Sequence, residues 1–158
     1  MTLRIRQAGR AIVLDDENRV LLVHFGLAGR RSVWVTVGGG LEPGETREQA
    51  ARRELAEEAG LDVPELGPPV WTRTHRFDPG IRWDGQTEHY YLVRTRHFDP
   101  QPRHSWAQLN AEGVTAIRWW AIEEIAESEE LFAPRRLAEL LRSLLRDGPP
   151  LEPIDVGV

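Results

Sequence analysis

Six glutamates fall within the 23 residues from Gly39 to Leu61, and they form the densest group of chemically useful side chains in the sequence. The first lie among glycine and proline and the last follow one another closely: Glu42, Glu45, Glu48, Glu54, Glu57 and Glu58. Carboxylates are ligands that hard divalent cations such as Mg²⁺ prefer, and a bound cation holds phosphate oxygens at its remaining positions. The stretch therefore predicts a cation site suited to phosphate chemistry.

A helix must carry these acids, and the sequence predicts one over residues 47–59. Thr46 followed by Gln49 forms a capping-box pattern, which satisfies backbone amides at a helix start. The residues that follow are good helix formers, and Gly60 supplies the left-handed position that ends a helix. Before the helix, we expect the glycines at 38–40 and the Pro43-Gly44 pair to keep the chain irregular.

At the helical period, Glu54, Glu57 and Glu58 fall within an arc of about 100°. Like charges at these spacings destabilise a helix by a few tenths of a kcal/mol per pair, and the helix dipole disfavours anions near the C-terminus. One interpretation is a solvated acidic face that Arg52 and Arg53 partly neutralise. The glycine-rich turn just before the helix favours the other interpretation, a cation site.

The spacing of these residues matches a known motif. Gly39, five residues, Glu45, seven residues and then the run Arg53-Glu54-Leu55-Ala56-Glu57-Glu58-Ala59-Gly60-Leu61 agree at every fixed position with the Nudix box, G-x5-E-x7-R-E-U-x-E-E-x-G-U, where U is a bulky aliphatic residue. The chain therefore resembles the Nudix hydrolase family. This resemblance implies an α/β/α sandwich with a mixed β-sheet and a metal-dependent pyrophosphohydrolase that cleaves a phosphoric anhydride by water attack on phosphorus.

The resemblance also implies roles for individual residues. The expected metal ligands, for Mg²⁺ or alternatively Mn²⁺, are the carboxylates of Glu54, Glu57 and Glu58 and the carbonyl of Gly38. Glu45 and Arg53 resemble the pair that orients the loop against the helix in this family. Such a pair contributes by holding the ligands in place.

The general base is open on sequence alone, because relatives place it either within the box or on a later glutamate. Glu54 and Glu57 are the candidates within the box. Glu88 is the candidate outside it, since it precedes the strand-like Tyr90-Tyr91 pair, and Glu112 is a weaker one. The alternative for Glu88 is a solvent-exposed residue at a strand edge.

Composition narrows the class of protein. The length of 158 residues suits a single domain, which we expect over residues 1–148, followed by a loosely held tail at 149–158. The net charge of −5 argues against nucleic acid as a partner. Without cysteine there is neither a disulfide nor a thiolate metal site, and no apolar run approaches the length of a membrane span. We expect a cytoplasmic protein, and the sequence leaves its oligomeric state open, a homodimer included.

Hydrophobic patterning predicts the other elements. The expected strands are residues 3–14, 19–25, 32–37, 70–77, 88–98 and 114–121. The fourth and fifth form a hairpin through turns at 78–80 and 84–85, while residues 99–113 read as an irregular loop. A helical turn is expected at 123–125. Leucines at 137, 140, 141, 144 and 145 predict a final amphipathic helix that ends at Asp147-Gly148.

A few side chains outside the box are candidates for ligand contacts. Aromatic rings stack on nucleobases and arginines bind phosphates, so Phe25, Arg30, Arg31, Trp34 and Trp83 are all candidates and the sequence selects none of them. The five histidines show no metal-ligand spacing, and the Trp119-Trp120 pair is interpreted as core packing.

The expected substrate is a nucleotide or another nucleoside diphosphate derivative, and the sequence does not select which. The alternative function is a module that senses such molecules without turnover, although sensors of this kind often lose box carboxylates that are intact here. An isomerase would need further acid and base groups, such as cysteine, which this chain lacks.

Overall fold

The structure is a computed structural model that describes residues 2–26, 31–77 and 82–158. Within these residues the chain forms eight strands and a set of helices. The strands are β1 (Ile5–Leu14), β2 (Val20–Phe25), β3 (Val33–Gly40), β4 (Trp71–Arg76), β5 (Gly85–Arg94), β6 (Val114–Trp120), β7 (Phe132–Ala133) and β8 (Ile154–Asp155). The helices are α1 (Arg47–Glu54), which continues as a π-helical turn (Leu55–Ala59), α2 (Trp106–Ala111), α3 (Ile122–Glu127) and α4 (Leu137–Asp147).

The strands form one mixed sheet in the order β6-β2-β3-β1-β5-β4-β8, with β7 beside β3. Strands β1 and β5 are parallel and pair along their full lengths. Strand β3 pairs antiparallel with β2 through its first half and with β1 through its second half. The strand thus links the outer part of the sheet to the central β1–β5 pair.

Helices cover both faces of the sheet. Alternation along β1 sends Ile12 and Leu14 into an apolar cluster with α4, while Ala11 and Val13 enter another cluster with the helical segment that follows Thr46. The expected α/β/α sandwich with a mixed sheet is therefore confirmed. No helix in the described ranges is long and apolar enough to cross a membrane.

The glycine stretch differs from its prediction. Residues 38–40 are the last three of β3 rather than an irregular segment, and they pair with Ala8, Gly9 and Arg10 of β1. Glycine weakens a strand on its own, but the ladder to β1 supplies the hydrogen bonds that hold these residues extended.

The segment 99–113 also differs, because it contains α2. Ser105 and Gln108 form a capping box at its start, a signal that was present in the sequence and that the irregular-loop interpretation overlooked.

The C-terminal residues contain structure where a loose tail is expected. Strand β8 pairs in parallel with β4, the side chain of Val156 is buried, and the N–H of Arg135 donates to the carbonyl of Val158. The edge of β4 provides the backbone partners of β8. The pairing of β4 with β5 confirms the expected hairpin, although its predicted turn at 78–80 lies outside the described residues.

The helix α1 comes very close to the sheet at Gly9 of β1. A methyl group on Gly9 would overlap the carbonyl oxygen of Arg47 and would lie 3.0 Å from the amide nitrogen of Ala51. A residue without a side chain is therefore required for the helix to reach its position against β1.

We expect Gly9→Ala to destabilise the protein by about 1–3 kcal/mol, because the added methyl forces the helix away from the strand. Gly67→Ala is the matched control, since a methyl there meets nothing within 4 Å. Urea unfolding of both variants measures the difference. Equal stabilities would contradict the close contact of α1 with β1.

Candidate active site

The helix that carries the acids begins and ends as its sequence predicts. Thr46 accepts a hydrogen bond from the backbone of Gln49, whose side chain accepts one from Thr46, and Gly60 ends the helical segment with φ 72°. Its last five residues form a π-helical turn that the sequence did not predict. Such turns occur often at functional sites.

The π turn is covered by the segment that precedes α2. The backbone N–H groups of Arg103 and His104 donate to the carbonyl of Glu57, and the N–H of Gln101 donates to the carbonyl of Ala59. The imidazole Nε2 of His104 lies 3.6 Å from Oε1 of Glu57. His104 thus reaches the candidate site from a distant part of the chain, and nothing in its sequence spacing indicated this.

Arg53 joins the loop before α1 to the helix. Its Nε and Nη2 donate to the two carboxylate oxygens of Glu45 at 2.8 and 3.0 Å, and Nη2 also donates to the carbonyl of Gly40 at 3.0 Å. This hydrogen bonding with Arg53 lowers the pKa of Glu45. Through these hydrogen bonds, Glu45 and Arg53 can hold the loop in a fixed shape.

The other side of the same guanidinium faces the helix. Nη1 of Arg53 donates to Oε1 of Glu54 at 2.9 Å and to Oε2 of Glu57 at 3.1 Å. Arg53 therefore partly neutralises the acidic edge that it also ties to the loop.

Glu54, which is partly buried, and Glu58, which is buried, lie side by side beneath the end of β3. Burial, followed by the charge of Glu54, raises the pKa of Glu58 well above its ordinary value. Burial also raises the pKa of Glu54, against the opposing charge of Arg53. Burial therefore outweighs the positive charge available to these two carboxyl groups, and a cation placed between them would relieve the cost of ionising them.

The end of β3 comes directly over this pair at Gly38. The N–H of Gly38 donates to Oε1 of Glu58 at 3.1 Å. Gly38 has φ 151°, and a Cβ there would lie 2.7 Å from Cα of Arg10. Only glycine fits this point, so the backbone itself faces the acids.

The carboxyl groups of Glu54 and Glu58 and the backbone of Gly38 offer oxygen donors, which suit a hard divalent cation. The side chains of Glu54 and Glu58 are adjacent, whereas Glu57 turns towards Arg53 and His104. Within the described ranges, no three acidic or histidine side chains already converge on one cation-sized point. The donor set therefore matches Mg²⁺ or Mn²⁺ in chemistry, and Glu57 would have to turn from its present partners to join it.

Glu88 lies in a different environment. It is 2% exposed and lies on the alternating face of β5 that also carries Tyr90, opposite the face that α1 covers. One carboxylate oxygen is paired with Nε of Arg10, and the other accepts from Nη1 of Arg73 at 2.5 Å. Burial alone would raise the pKa of Glu88, but Arg10 and Arg73 outweigh it and lower the pKa to about 2.

Trp34, Glu112 and the Trp119-Trp120 pair belong to different strands and helices. Trp34 is buried in the core beside His24 and Trp120, so its ring packs rather than presenting a free face. Glu112 is the exposed C-cap residue of α2. Trp120 is buried, which confirms the interpretation of the Trp119-Trp120 pair as core packing. The Nε1 of Trp119 donates to the carbonyl of Phe98.

The other contact candidates differ in their exposure and their neighbours. The Arg31 side chain is exposed, Phe25 is half-buried, and Trp83 lies beside Arg82. Arg30 lies outside the described residues.

Comparison with known proteins agrees with the motif and the fold. The NUDIX domain model matches residues 5–144. The chain is 34% identical over 107 residues to Nudix hydrolase 25 of Arabidopsis thaliana, covering 60% of this chain and 61% of that protein. It is 30% identical over 163 residues to an RNA pyrophosphohydrolase of Erythrobacter litoralis (strain HTCC2594), covering 92% of this chain and 91% of that protein.

Coverage differs among the relatives. The chain spans about three fifths of the length of the plant protein and 43% of the nucleoside triphosphatase NudI of Enterobacter sp. (strain 638). It is 40% identical over 109 residues to NudI of Escherichia coli O17:K52:H18 (strain UMN026 / ExPEC), covering 68% of this chain and 74% of that one.

Solved structures share the fold at low identity. A MutT protein from Methanosarcina mazei Go1 aligns with a TM-score of 0.69 at 16% identity, covering 95% of this chain and 99% of that chain. The Nudix domain of Shewanella oneidensis NrtR, complexed with ADP ribose, aligns with a TM-score of 0.67 at 19% identity, covering 92% of this chain and 90% of that one. The domain match over most of the sequence, joined to these relatives, shows that the chain belongs to the Nudix hydrolase family.

Proposed function

We propose that this protein is a metal-dependent pyrophosphohydrolase that cleaves a phosphoric anhydride bond in a nucleoside diphosphate linked to another moiety, by attack of water on phosphorus. The observation that carries the proposal is the adjacent pair of Glu54 and Glu58 beneath the backbone of Gly38, with Arg53 holding the surrounding loop. Two adjacent carboxyls with raised pKa values, one buried and one partly buried, are costly to ionise unless a cation shares the site.

The carboxylates of Glu54, Glu57 and Glu58 and the carbonyl of Gly38 would hold Mg²⁺, or Mn²⁺ in its place. When bound, such a cation neutralises phosphate oxygens and lowers the pKa of a coordinated water. Glu54 at the end of α1 and Glu58 in the π-helical turn are already adjacent, whereas Glu57 would have to turn from Arg53 and His104 to join them.

Arg53 and Glu45 would act by keeping the loop closed against the helix. Their paired hydrogen bonds fix the loop, and the bond from Arg53 to the carbonyl of Gly40 fixes the adjoining end of β3. Misplacement of ligands by a fraction of an ångström lowers a rate without abolishing binding. The water must also lose a proton, and within the box Glu54 and Glu57 are the groups that we propose would accept it.

The relatives suggest which substrates to test. Their names describe an RNA pyrophosphohydrolase and nucleoside triphosphatases, and one structural neighbour is complexed with ADP ribose. These molecules share a phosphoric anhydride next to a nucleoside. We propose that this shared group is what the site recognises, and that a small-molecule nucleotide fits the net charge of −5 better than a long polyanion.

The test is a panel of substrates incubated with the purified protein and Mg²⁺ or Mn²⁺, with products separated by chromatography. Nucleoside triphosphates, ADP-ribose, dinucleoside polyphosphates and a short RNA carrying a 5′ triphosphate make up the panel. Turnover that a chelator abolishes is expected for at least one of them. Tight binding of a nucleotide with no product would support the sensing module instead.

We expect Glu58→Gln to lower the rate at saturating metal by at least about 100-fold, since a ligand should matter at least as much as the groups that orient it. Gln still accepts from the N–H of Gly38, so the fold is retained. Glu48→Gln, on the same helix, is the matched control and should keep its activity. Wild-type rates in Glu58→Gln would mean that the acidic edge is only a solvated face.

The same variant should change the pH dependence of stability. Because the pKa of Glu58 is raised on folding, the metal-free wild type should lose stability as the pH rises above the ordinary glutamate value near 4.5. Below that value the carboxyl is protonated in both states and the difference vanishes. Thermal unfolding with a chelator present should therefore show Glu58→Gln gaining on the wild type towards alkaline pH. Parallel pH profiles would contradict this.

Arg53→Ala and Glu45→Gln should be non-additive, because Arg53→Ala removes both donors of this pair of hydrogen bonds and Glu45→Gln removes one of its two acceptor oxygens. A double-mutant cycle on kcat/KM measures the coupling. The neighbouring Arg52→Ala is the control, since Arg52 donates instead to the carbonyl of Val63 and should show little loss of rate. Additive losses at Arg53 and Glu45 would show that their pairing does not support catalysis.

A further inference from the structure

We propose that Arg10 is a positioning residue that holds the glycine end of β3 over the cation site, and that Glu88 serves to aim Arg10 rather than to accept the proton of the attacking water. The inference deepens the proposed function and rests on it. The inference assigns a role to the ion pair of Arg10 and Glu88, which lies on the sheet face opposite α1. The expected metal ligands and the Glu45–Arg53 pair do not lie on that face.

The glycine end of β3 needs such a holder. Residues 38–40 have no side chains that could pack against a neighbour, and glycine is the residue with the greatest freedom to leave a given conformation. The position of the Gly38 carbonyl must therefore be set by hydrogen bonds to the strand backbone and by packing against it. On the α1 side, the strand is held by Glu58 at the N–H of Gly38 and by Arg53 at the carbonyl of Gly40.

Arg10 supplies the matching contact before the glycines. Its Nη1 donates to the carbonyl of Thr36 at 3.0 Å, two residues ahead of Gly38 in β3. Arg10 is also the partner of Gly38 in the β1–β3 register, and a Cβ on Gly38 would lie 2.9 Å from Cγ of Arg10. The side chain of Arg10 thus packs against Gly38 and then bonds to the strand beside it.

Glu88 fixes the direction of this arginine. It binds Nε of Arg10 through one carboxylate oxygen, while the other oxygen accepts from Arg73 and lies 3.4 Å from the hydroxyl of Tyr90. With Nε held on β5, the guanidinium of Arg10 can turn Nη1 only towards a limited region, which contains the carbonyl of Thr36. A guanidinium can do this because its donors form a rigid planar fork.

The same contacts argue against Glu88 as a general base. Both of its oxygens are occupied by arginines, and a carboxylate with a pKa of about 2 has little affinity for a proton near neutral pH. Its face of the sheet is also opposite the one that α1 covers. The contacts that Glu88 makes therefore suit a role in holding Arg10.

The test compares Arg10→Met with Arg73→Met. Each variant leaves Glu88 with one arginine, so both disturb the same buried charge, but only Arg10 contacts β3 at Thr36. Binding of Mn²⁺ is measured by electron paramagnetic resonance without substrate. We expect Arg10→Met to weaken Mn²⁺ binding about 10–100-fold, the usual loss for a group that orients a metal ligand, and Arg73→Met to bind close to the wild-type value.

Equal Mn²⁺ affinities in the two variants, or a larger loss in Arg73→Met, would overturn the inference. If Arg10→Met fails to fold because Glu88 is left underpaired, the double variant Arg10→Met, Glu88→Gln removes that charge and should show the same weakened binding. Wild-type affinity in the double variant would also overturn it. A wild-type protein that binds no Mn²⁺ and hydrolyses nothing would instead reject the proposed function, and this inference with it.

Glu88→Gln separates the two roles of the glutamate directly. Gln can still accept from Arg10, so we expect a modest loss of rate and an unchanged acid limb in the pH profile of kcat. A general base would instead give a loss of about 10²–10⁴-fold in kcat together with loss of the acid limb. That second outcome would overturn the role assigned here to Glu88.

Discussion

The hydrogen bonds of Arg53 are the interaction on which the candidate site depends. Acidic side chains along one helix edge repel one another, so a site rich in glutamate needs a positive group within the protein before it can bind a cation from solution. Arg53 faces the loop through Glu45 and Gly40 and faces the helix through Glu54 and Glu57. A guanidinium suits this place because its planar donors serve several oxygens at once. The loop, the strand end and the helix therefore share one electrostatic support.

The glycines at the end of β3 lose conformational freedom so that the site can form. A Cβ on Gly39 would lie 2.6 Å from Oε1 of Glu54, so a side chain there would displace the carboxyl group of Glu54 from its present position. Glycine allows the approach but loses more conformational freedom on folding than other residues. The pairing of β3 with β1 and the hydrogen bond that the N–H of Gly38 donates to Glu58 restrict that freedom. The glycines thus permit the close approach of the backbone to the carboxyl groups, while strand pairing and the contact with Glu58 restrain that backbone.

Glutamates on the two faces of the sheet have opposite electrostatic properties. On the α1 side, burial raises the pKa of Glu54, and burial together with the charge of Glu54 raises the pKa of Glu58, so this pair is costly to ionise. On the other face, Arg10 and Arg73 more than compensate for burial and lower the pKa of Glu88. The first pair is suited to binding chemistry because its charge is not yet balanced. Glu88 is already balanced by the protein and is suited to holding its neighbours.

The sequence by itself determined the helix from Thr46 to Gly60, the spacing of its acids and most of the strands, because capping, helical period and hydrophobic runs depend on residues close together in the chain. It also contained the capping box of α2, which the irregular-loop interpretation overlooked. Tertiary structure alone decided the partners of Glu88, since Arg10 lies 78 positions away. It likewise decided that the glycines at 38–40 extend β3 and that β8 joins β4. Strand pairing and buried ion pairs join residues distant in sequence, and local patterns do not specify which distant groups will meet.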